Sequence, residues 1–163
     1  MTEEMGRAYQ KALFLLERRD HTEAELRQKL KDRDFQPESI DAVIERLKEY
    51  SFIDDRRFTE QYLRYHMGEQ SRRTLSMKLL QKGIRADLFD EVYNGLVPEF
   101  DISPEKEALE KAVGAALRKA ERKGYSLGCL PKEERRRIVA SLYRKGFAVG
   151  MINAELDKAA ESF

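Results

Sequence analysis

The 163-residue sequence predicts an all-α protein of three tandem three-helix repeats forming an elongated, curved array. Three observations predict it. Apolar residues recur three and four apart through almost every segment, and no six-residue stretch alternates cleanly between apolar and polar, so the periodicity belongs to helices. Legible helix start and stop signals punctuate the chain. One apolar pattern then occurs three times with identical spacing: Leu26, Leu30, Phe35, Ile40, Ile44; Leu75, Leu79, Ile84, Phe89, Tyr93; and Ile138, Leu142, Phe147, Ile152, Leu156. A unit of about 50 residues buries too little surface alone, so packed neighbours complete each other's cores.

The first repeat covers residues 1–52. Its opening helix runs over about 5–19, carrying Ala12, Phe14, Leu15 and Leu16. Thr22-Glu23-Ala24-Glu25 is a capping box that starts the second helix. Asp34 stands in the turn that follows. Phe35 and Ile40 then form a hydrophobic staple across the start of the third helix, which carries Val43, Ile44 and Leu47.

The second repeat covers residues 53–99 and opens on Ser51-Phe52-Ile53-Asp54-Asp55-Arg56-Arg57-Phe58, where the adjacent aspartates have the look of an acid pair. With Asp54 as the cap of a helix over 54–67, Ile53 and Phe58 fall at the two staple positions, and Asp55 sits beside the positive end of the dipole. Phe52 and Ile53 are expected to pack inward. The reading leaves Arg56 and Arg57 to face solvent or a partner. Gly83 ends the second helix after Lys82, and Ile84 with Phe89 staples the third.

The third repeat covers residues 100–163. Ser103-Pro104-Glu105 puts serine at the cap and proline at the first position of a helix over 103–123. Gly124 and Gly146 each follow a lysine at a helical end. Arg135, Arg136 and Arg137 open the second helix, and Phe147 with Ile152 staples the third. All four prolines (Pro37, Pro98, Pro104, Pro131) fall where a helix begins or ends.

Charge and composition narrow the function. The chain has 31 basic and 30 acidic residues, a formal +1, which suits helices with charged outer faces. The balance hides two basic stretches: Glu69 to Ala86 with five basic residues against one acidic, and Arg118 to Gly146 with ten against three. The single cysteine, Cys129, excludes an internal disulfide and a cysteine metal cluster and fits a reducing cytoplasm. The apolar run Ala12 to Leu16 is too short for a membrane span. Phosphate-loop, dinucleotide, zinc-protease and calcium-loop signatures are absent, so no cofactor or metal is expected. Cys129 with His21 or His66 is the one nucleophilic pair the residues allow. Pairs such as Glu25–Lys29 read as solvated helix surface.

The candidate binding residues are therefore basic: Arg72, Arg73, Lys78, Lys82 and Arg85, then Arg135, Arg136 and Arg137. Three consecutive helical arginines span about 200° of the wheel, so they cannot all face one partner. An electropositive face suits nucleic acid or an acidic protein. A helix-turn-helix reader would place each repeat's third helix in the major groove. Those helices carry Glu38, Asp41 and Glu45; Asp87, Asp90 and Glu91; and Glu155 and Asp157, which repel phosphate.

Four stretches in this order, ALFLLERRDHTEAELRQKL, IDAVIERLKEYSFIDDRRFTEQYLR, SRRTLSMKLLQKGI and LYRKGF, resemble the RecX family of bacterial recombination regulators. The likeness runs through Phe52 to Phe58, Tyr62, Arg64 and Lys82-Gly83-Ile84 and is strongest over residues 12–93. Two departures stand out. Gly68-Glu69-Gln70 occupies the place of a Gly-aromatic-Gly segment, and the third repeat matches only loosely. The resemblance implies a non-enzymatic, cofactor-free monomer of three three-helix units. It would lodge along the RecA filament on DNA, inhibiting ATP hydrolysis and strand exchange. Contact with the DNA backbone would be secondary. A nucleic-acid-binding module acting without RecA is the rival reading.

Overall fold

The computed structural model describes residues 1–162, and among them the chain is helical with no strand. The α-helices are α1 Glu3–Arg18, α2 Glu23–Lys31, α3 Pro37–Glu49, α4 Asp55–His66, α5 Arg72–Gln81, α6 Ala86–Leu96, α7 Pro104–Arg122, α8 Lys132–Arg144 and α9 Val149–Glu161. A short 3-10 turn, Val97–Glu99, follows α6. Among the described residues the nine α-helices fall into three consecutive triplets, the three-helix repeats that the sequence predicts.

Two compact units divide the chain. One comprises Met1–Tyr62 with Lys78–Gly95, the other Leu63–Met77 with Leu96–Phe163. In the first, Ala8 and Ala12 of α1 pack with Leu26 and Leu30 of α2 and with Ile40, Val43, Ile44 and Leu47 of α3. Small residues on α1 let the larger side chains of α2 and α3 approach its backbone. In the second, Leu109, Val113 and Leu117 of α7 pack with Ile138 and Leu142 of α8 and Ile152 and Leu156 of α9. Of the fifteen positions of the threefold pattern, all are buried except Phe35, which is half-buried.

The second helix of each triplet ends in the same way. Asp34, Gly83 and Gly146 take φ of 62°, 85° and 96°. The next residue's N–H then closes back on the helix: Phe35 to the Leu30 carbonyl, Ile84 to Leu79 and Phe147 to Leu142, at 3.4, 2.9 and 3.3 Å. This is the Schellman closure, in which a left-handed residue satisfies the last free carbonyls. Its use with aspartate in the first copy is unusual, since glycine alone enters this region without steric cost.

The same closure also ends α3, again without a glycine. Ser51 has φ of 58°, and Phe52 N–H reaches the Leu47 carbonyl at 2.9 Å. Phe52 does not pack inward as expected. After the reversal at Ser51 only one of the two neighbouring apolar side chains enters the core. Ile53 is buried, whereas Phe52 is 48% exposed, its ring 6.2 Å from that of Tyr50.

Candidate partner-binding surfaces

The exposed basic residues are positioned by helix ends, and those ends are held by hydrogen bonds that recur. In the first unit the Thr22 hydroxyl caps α2 by accepting from Glu25 N–H at 3.1 Å, and donates to the backbone carbonyl of Lys82. In the second unit the Ser71 hydroxyl accepts from Thr74 N–H at 3.1 Å and donates to the carbonyl of Lys145 at 2.6 Å. Each junction therefore joins a helix N-cap to the lysine carbonyl just before a left-handed glycine. A carboxylate completes each: Asp55 accepts from Glu23 N–H at 2.9 Å and Glu105 from Arg72 N–H at 2.6 Å. These amides are among the free donors of a helix start.

Asp54 caps α4 as the sequence predicts, accepting from Arg57 N–H at 3.1 Å. Asp55 does more than line its own helix start. Burial pushes its carboxyl up, against the pull of the Glu23 amide. The two arginines of this stretch have partners: Arg56 pairs with Glu91 at 2.9 Å, and Arg57 donates to the Ser51 carbonyl at 3.2 Å.

The basic candidates divide between fold and surface. Lys82 pairs with Glu25 at 3.3 Å, so its ammonium serves the first junction. Glu25 is correspondingly not solvated surface: its side chain is 17% exposed and also meets Arg19. Arg85 pairs with its neighbour Asp87, at 3.2 Å, both well exposed. Arg73 and Lys78 are exposed on α5, and Arg72 is half-buried. Arg72 and Arg73 belong to the second unit, while Lys78, Lys82 and Arg85 belong to the first.

The three arginines of α8 diverge as the helical wheel requires. Arg135 is half-buried, with Asp157 at 2.8 Å and Asn153 Oδ1 at 3.2 Å. Arg136 is exposed and lines a largely apolar groove with Lys132, Val139, Tyr143 and Val149. Arg137 lines a different groove, between α7 and α8. These arginines do not open the helix. Pro131, extended at φ −56° and ψ 145°, is the cap, and Lys132, Glu133 and Glu134 form the first turn. Glutamates at the positive end of the dipole explain the earlier start.

Gly68-Glu69-Gln70 follows α4 as a tight turn with Gly68 at φ 85°. Its Glu69 pairs with Lys111 of α7. Cys129 is an exposed thiol in the loop after α7. His21 Nδ1 lies 2.9 Å from the Arg19 carbonyl, and His66 Nδ1 lies 3.3 Å from the Gln70 amide. Among the described residues no cluster of three or more His, Cys, Asp or Glu is arranged to hold a metal ion, and no helix is long and apolar enough to cross a membrane.

The capping box signals Thr22 only as a local cap, and no charge or motif signals Ser71 or Glu134. Their common signal is positional: each lies four residues before the first apolar residue of the repeated pattern.

Similarity to known proteins follows the repeats. The profile of RecX, first three-helix domain, matches residues 8–47, and that of RecX, second three-helix domain, matches residues 54–92. The chain is 30% identical over 154 residues to the regulatory protein RecX of Mycobacterium sp., covering 91% of this chain and 78% of that protein. It is 36% identical over 84 residues to the regulatory protein RecX of Clostridium acetobutylicum, covering 52% of this chain but 39% of that protein. The match thus spans well under half of that longer clostridial relative. The crystal structure of RecX from Lactobacillus salivarius shares the fold, with a TM-score of 0.77 at 24% identity and 98% of each chain covered.

Proposed function

The chain belongs to the RecX family, and from that premise we propose that it regulates the RecA recombinase by binding the RecA–DNA filament and inhibiting ATP hydrolysis and strand exchange. The observation that carries the reading is the similarity to a mycobacterial regulatory protein along nine-tenths of the chain. The helical repeats support it, because tandem helical units offer successive faces to a repeating partner. We take residues 1–52, 53–99 and 100–163 as those successive modules, acting as a monomer in the cytoplasm by binding rather than by catalysis. Of the basic residues, Arg72, Arg73, Lys78, Arg85, Arg136 and Arg137 are assigned to the partner surface. Lys82 and Arg135 are assigned to the fold instead, because each side chain is only about a third exposed and is held by Glu25 or Asp157.

RecA-dependent ATP hydrolysis on single-stranded DNA, followed with substoichiometric protein, tests this. A progressive loss of hydrolysis is expected, and no inhibition at any ratio sinks the reading. Arg136→Glu with Arg137→Glu should weaken inhibition more than Arg135→Ala at equal stability. A second reading, nucleic-acid binding without RecA, is favoured by the basic stretch from Arg118 to Gly146. It predicts tight binding to bare DNA that falls steeply with salt.

A further inference from the structure

Three carboxylates in this protein lie in the first turn of one helix and satisfy the N-terminus of another. Glu4 of α1 accepts from Gln36 N–H at 3.3 Å and from the Ser39 hydroxyl at 2.6 Å, at the start of α3. Asp55 of α4 accepts from the first amide of α2, and Glu105 of α7 from the first amide of α5. The physics is common to all three: free N–H donors and the positive dipole end attract a carboxylate.

Glu134 is a fourth first-turn carboxylate, in α8, without such a helix. It is 4% exposed, and its Oε2 is buried with no hydrogen-bond partner among the described residues. Lys123 pairs with the other oxygen, Oε1, at 3.6 Å, and Arg137 Nη1 lies 3.5 Å from Oε2, an ion pair that makes no hydrogen bond to it. A buried carboxylate oxygen without a donor is costly, so the site is poised to accept one. Glu134 lines the groove between α7 and α8, whose floor is Ala116, Ala120 and Leu142 and whose rim carries Lys119, Lys123, Arg137 and Lys145.

Position sharpens what fits. Glu134 falls at the place in the repeat held by Thr22 and Ser71, whose hydroxyls donate to a lysine carbonyl of the following triplet. A carboxylate cannot donate to a carbonyl. The third copy therefore offers an acceptor where the first two offer a donor.

We propose that this groove docks the N-terminal turn of a helix from a partner protein. The free N–H groups of that turn meet Glu134, and its first-turn carboxylates meet Lys119, Lys123, Arg137 and Lys145. Arg137, 69% exposed, lies against the Glu134 carboxylate and swings to a partner carboxylate as the helix enters. Acidic residues are favoured at helix starts, so one element supplies both the donors and the negative charge. A DNA backbone supplies only acceptors, which Glu134 repels.

The partner tested rests on the RecA reading, and the probe is the RecA filament on single-stranded DNA. Binding is compared for wild type, Glu134→Gln, Glu134→Leu and the exposed pair Lys119→Glu with Lys145→Glu, each checked by thermal melting. The pair leaves the Ser71 junction intact, because only the Lys145 carbonyl serves it. About tenfold weaker binding or more is expected for Glu134→Leu and for the lysine pair, with Glu134→Gln between. If a Glu134 variant fails to fold, the lysine pair decides alone. Folded variants that bind like wild type overturn the inference and leave the RecA reading standing. Wild-type protein that does not bind the filament overturns both. Tighter binding of Glu134→Leu to bare DNA makes nucleic acid the occupant and overturns the inference. Loss of self-association by the same variant, with filament binding unchanged, makes a second copy the occupant and overturns it equally.

Discussion

Asp55 and Glu23 lie on different triplets, and the Oδ1 of Asp55 accepts the backbone N–H of Glu23 at 2.9 Å. Its neighbour Asp54 turns the other way and caps its own helix. The adjacent aspartates that resemble an acid pair are thus two separate helix starts, satisfied by residues one position apart. They are separable by mutation. Asp54→Ala should cost about 1 kcal/mol, as cap losses do. Asp55→Ala should cost about as much, because it leaves the Glu23 amide unsatisfied. Asp55→Asn should be close to neutral at pH 7, since the site disfavours the charge and an amide oxygen still accepts. Urea unfolding of the three variants checks this. An Asn variant as unstable as the Ala variant would show that the charge itself matters.

The hydroxyl junctions give a second prediction. Thr22 uses one oxygen twice, as cap acceptor and as donor to the Lys82 carbonyl. Thr22→Val keeps the shape and removes both bonds, so a loss of about 1–3 kcal/mol is expected, while Thr22→Ser retains both. Ser71→Ala should behave like Thr22→Val, because Ser71 has the same two roles. Equal midpoints for wild type and Thr22→Val in urea would remove this junction from the list of what holds the repeats.

The repeats and most helix boundaries are legible because their signals are local, the start of α8 before Arg135 being an exception. The staples, the cap at Asp54 and the turn at Gly83 each involve residues within a few positions of one another. The Schellman closure at Ser51 was not legible, since serine rarely adopts that conformation, and Phe52 was misplaced for the same reason. The junction bonds could not be read either. Their acceptors are backbone carbonyls, Lys82 for Thr22 and Lys145 for Ser71, and a carbonyl has no letter in the sequence. For the candidate site, the positions of the charges were legible but their pairing was not. Arg135 looks identical to Arg136 in the sequence, and only the return of α9 brings Asp157 to the first of them.

Gly83 and Gly124 share a left-handed backbone, with φ of 85° and 92°, but differ in surroundings. A Cβ at position 83 would overlap the Cβ of Ala24, whereas at 124 it would meet nothing within 4 Å. Gly124→Ala should therefore cost only the backbone term, about 1–2 kcal/mol. Gly83→Ala should add about 1–3 kcal/mol for the displaced helix start. Comparing Ala24 with Ala24→Gly in the Gly83→Ala background isolates the steric part. The Ala24→Gly, Gly83→Ala double variant removes the overlap, and recovery of about that added cost, less the roughly 1 kcal/mol that glycine costs in a helix, is expected on thermal melting. No recovery would assign the whole loss to backbone strain.

His21 gives the protein a titration of its own. The ring is buried at the start of α2, and with the proton on Nδ1 it donates to the Arg19 carbonyl. Burial, then the Arg19 charge, with a smaller push from Lys29, holds its pKa below the ordinary value of 6.5, against the Arg19 carbonyl and Glu25. Between the folded pKa and the unfolded value the unfolded chain binds more protons, so stability falls as pH drops through that window and levels off beneath it. Glu25 acts in a lower window. Burial raises its carboxyl, but the Thr22 amide, Lys82 and Arg19 together outweigh it and hold the pKa down. Its contribution is therefore complete above the ordinary glutamate range and is lost only as pH falls through the depressed value. Denaturation of wild type and His21→Gln from about pH 8 to about pH 5 separates the two, since the carboxylate change lies mostly lower. Wild type should lose stability below about pH 6.5 while His21→Gln stays flat until the carboxylates begin to protonate. Parallel curves for the two proteins would show that His21 titrates alike in the folded and unfolded chains.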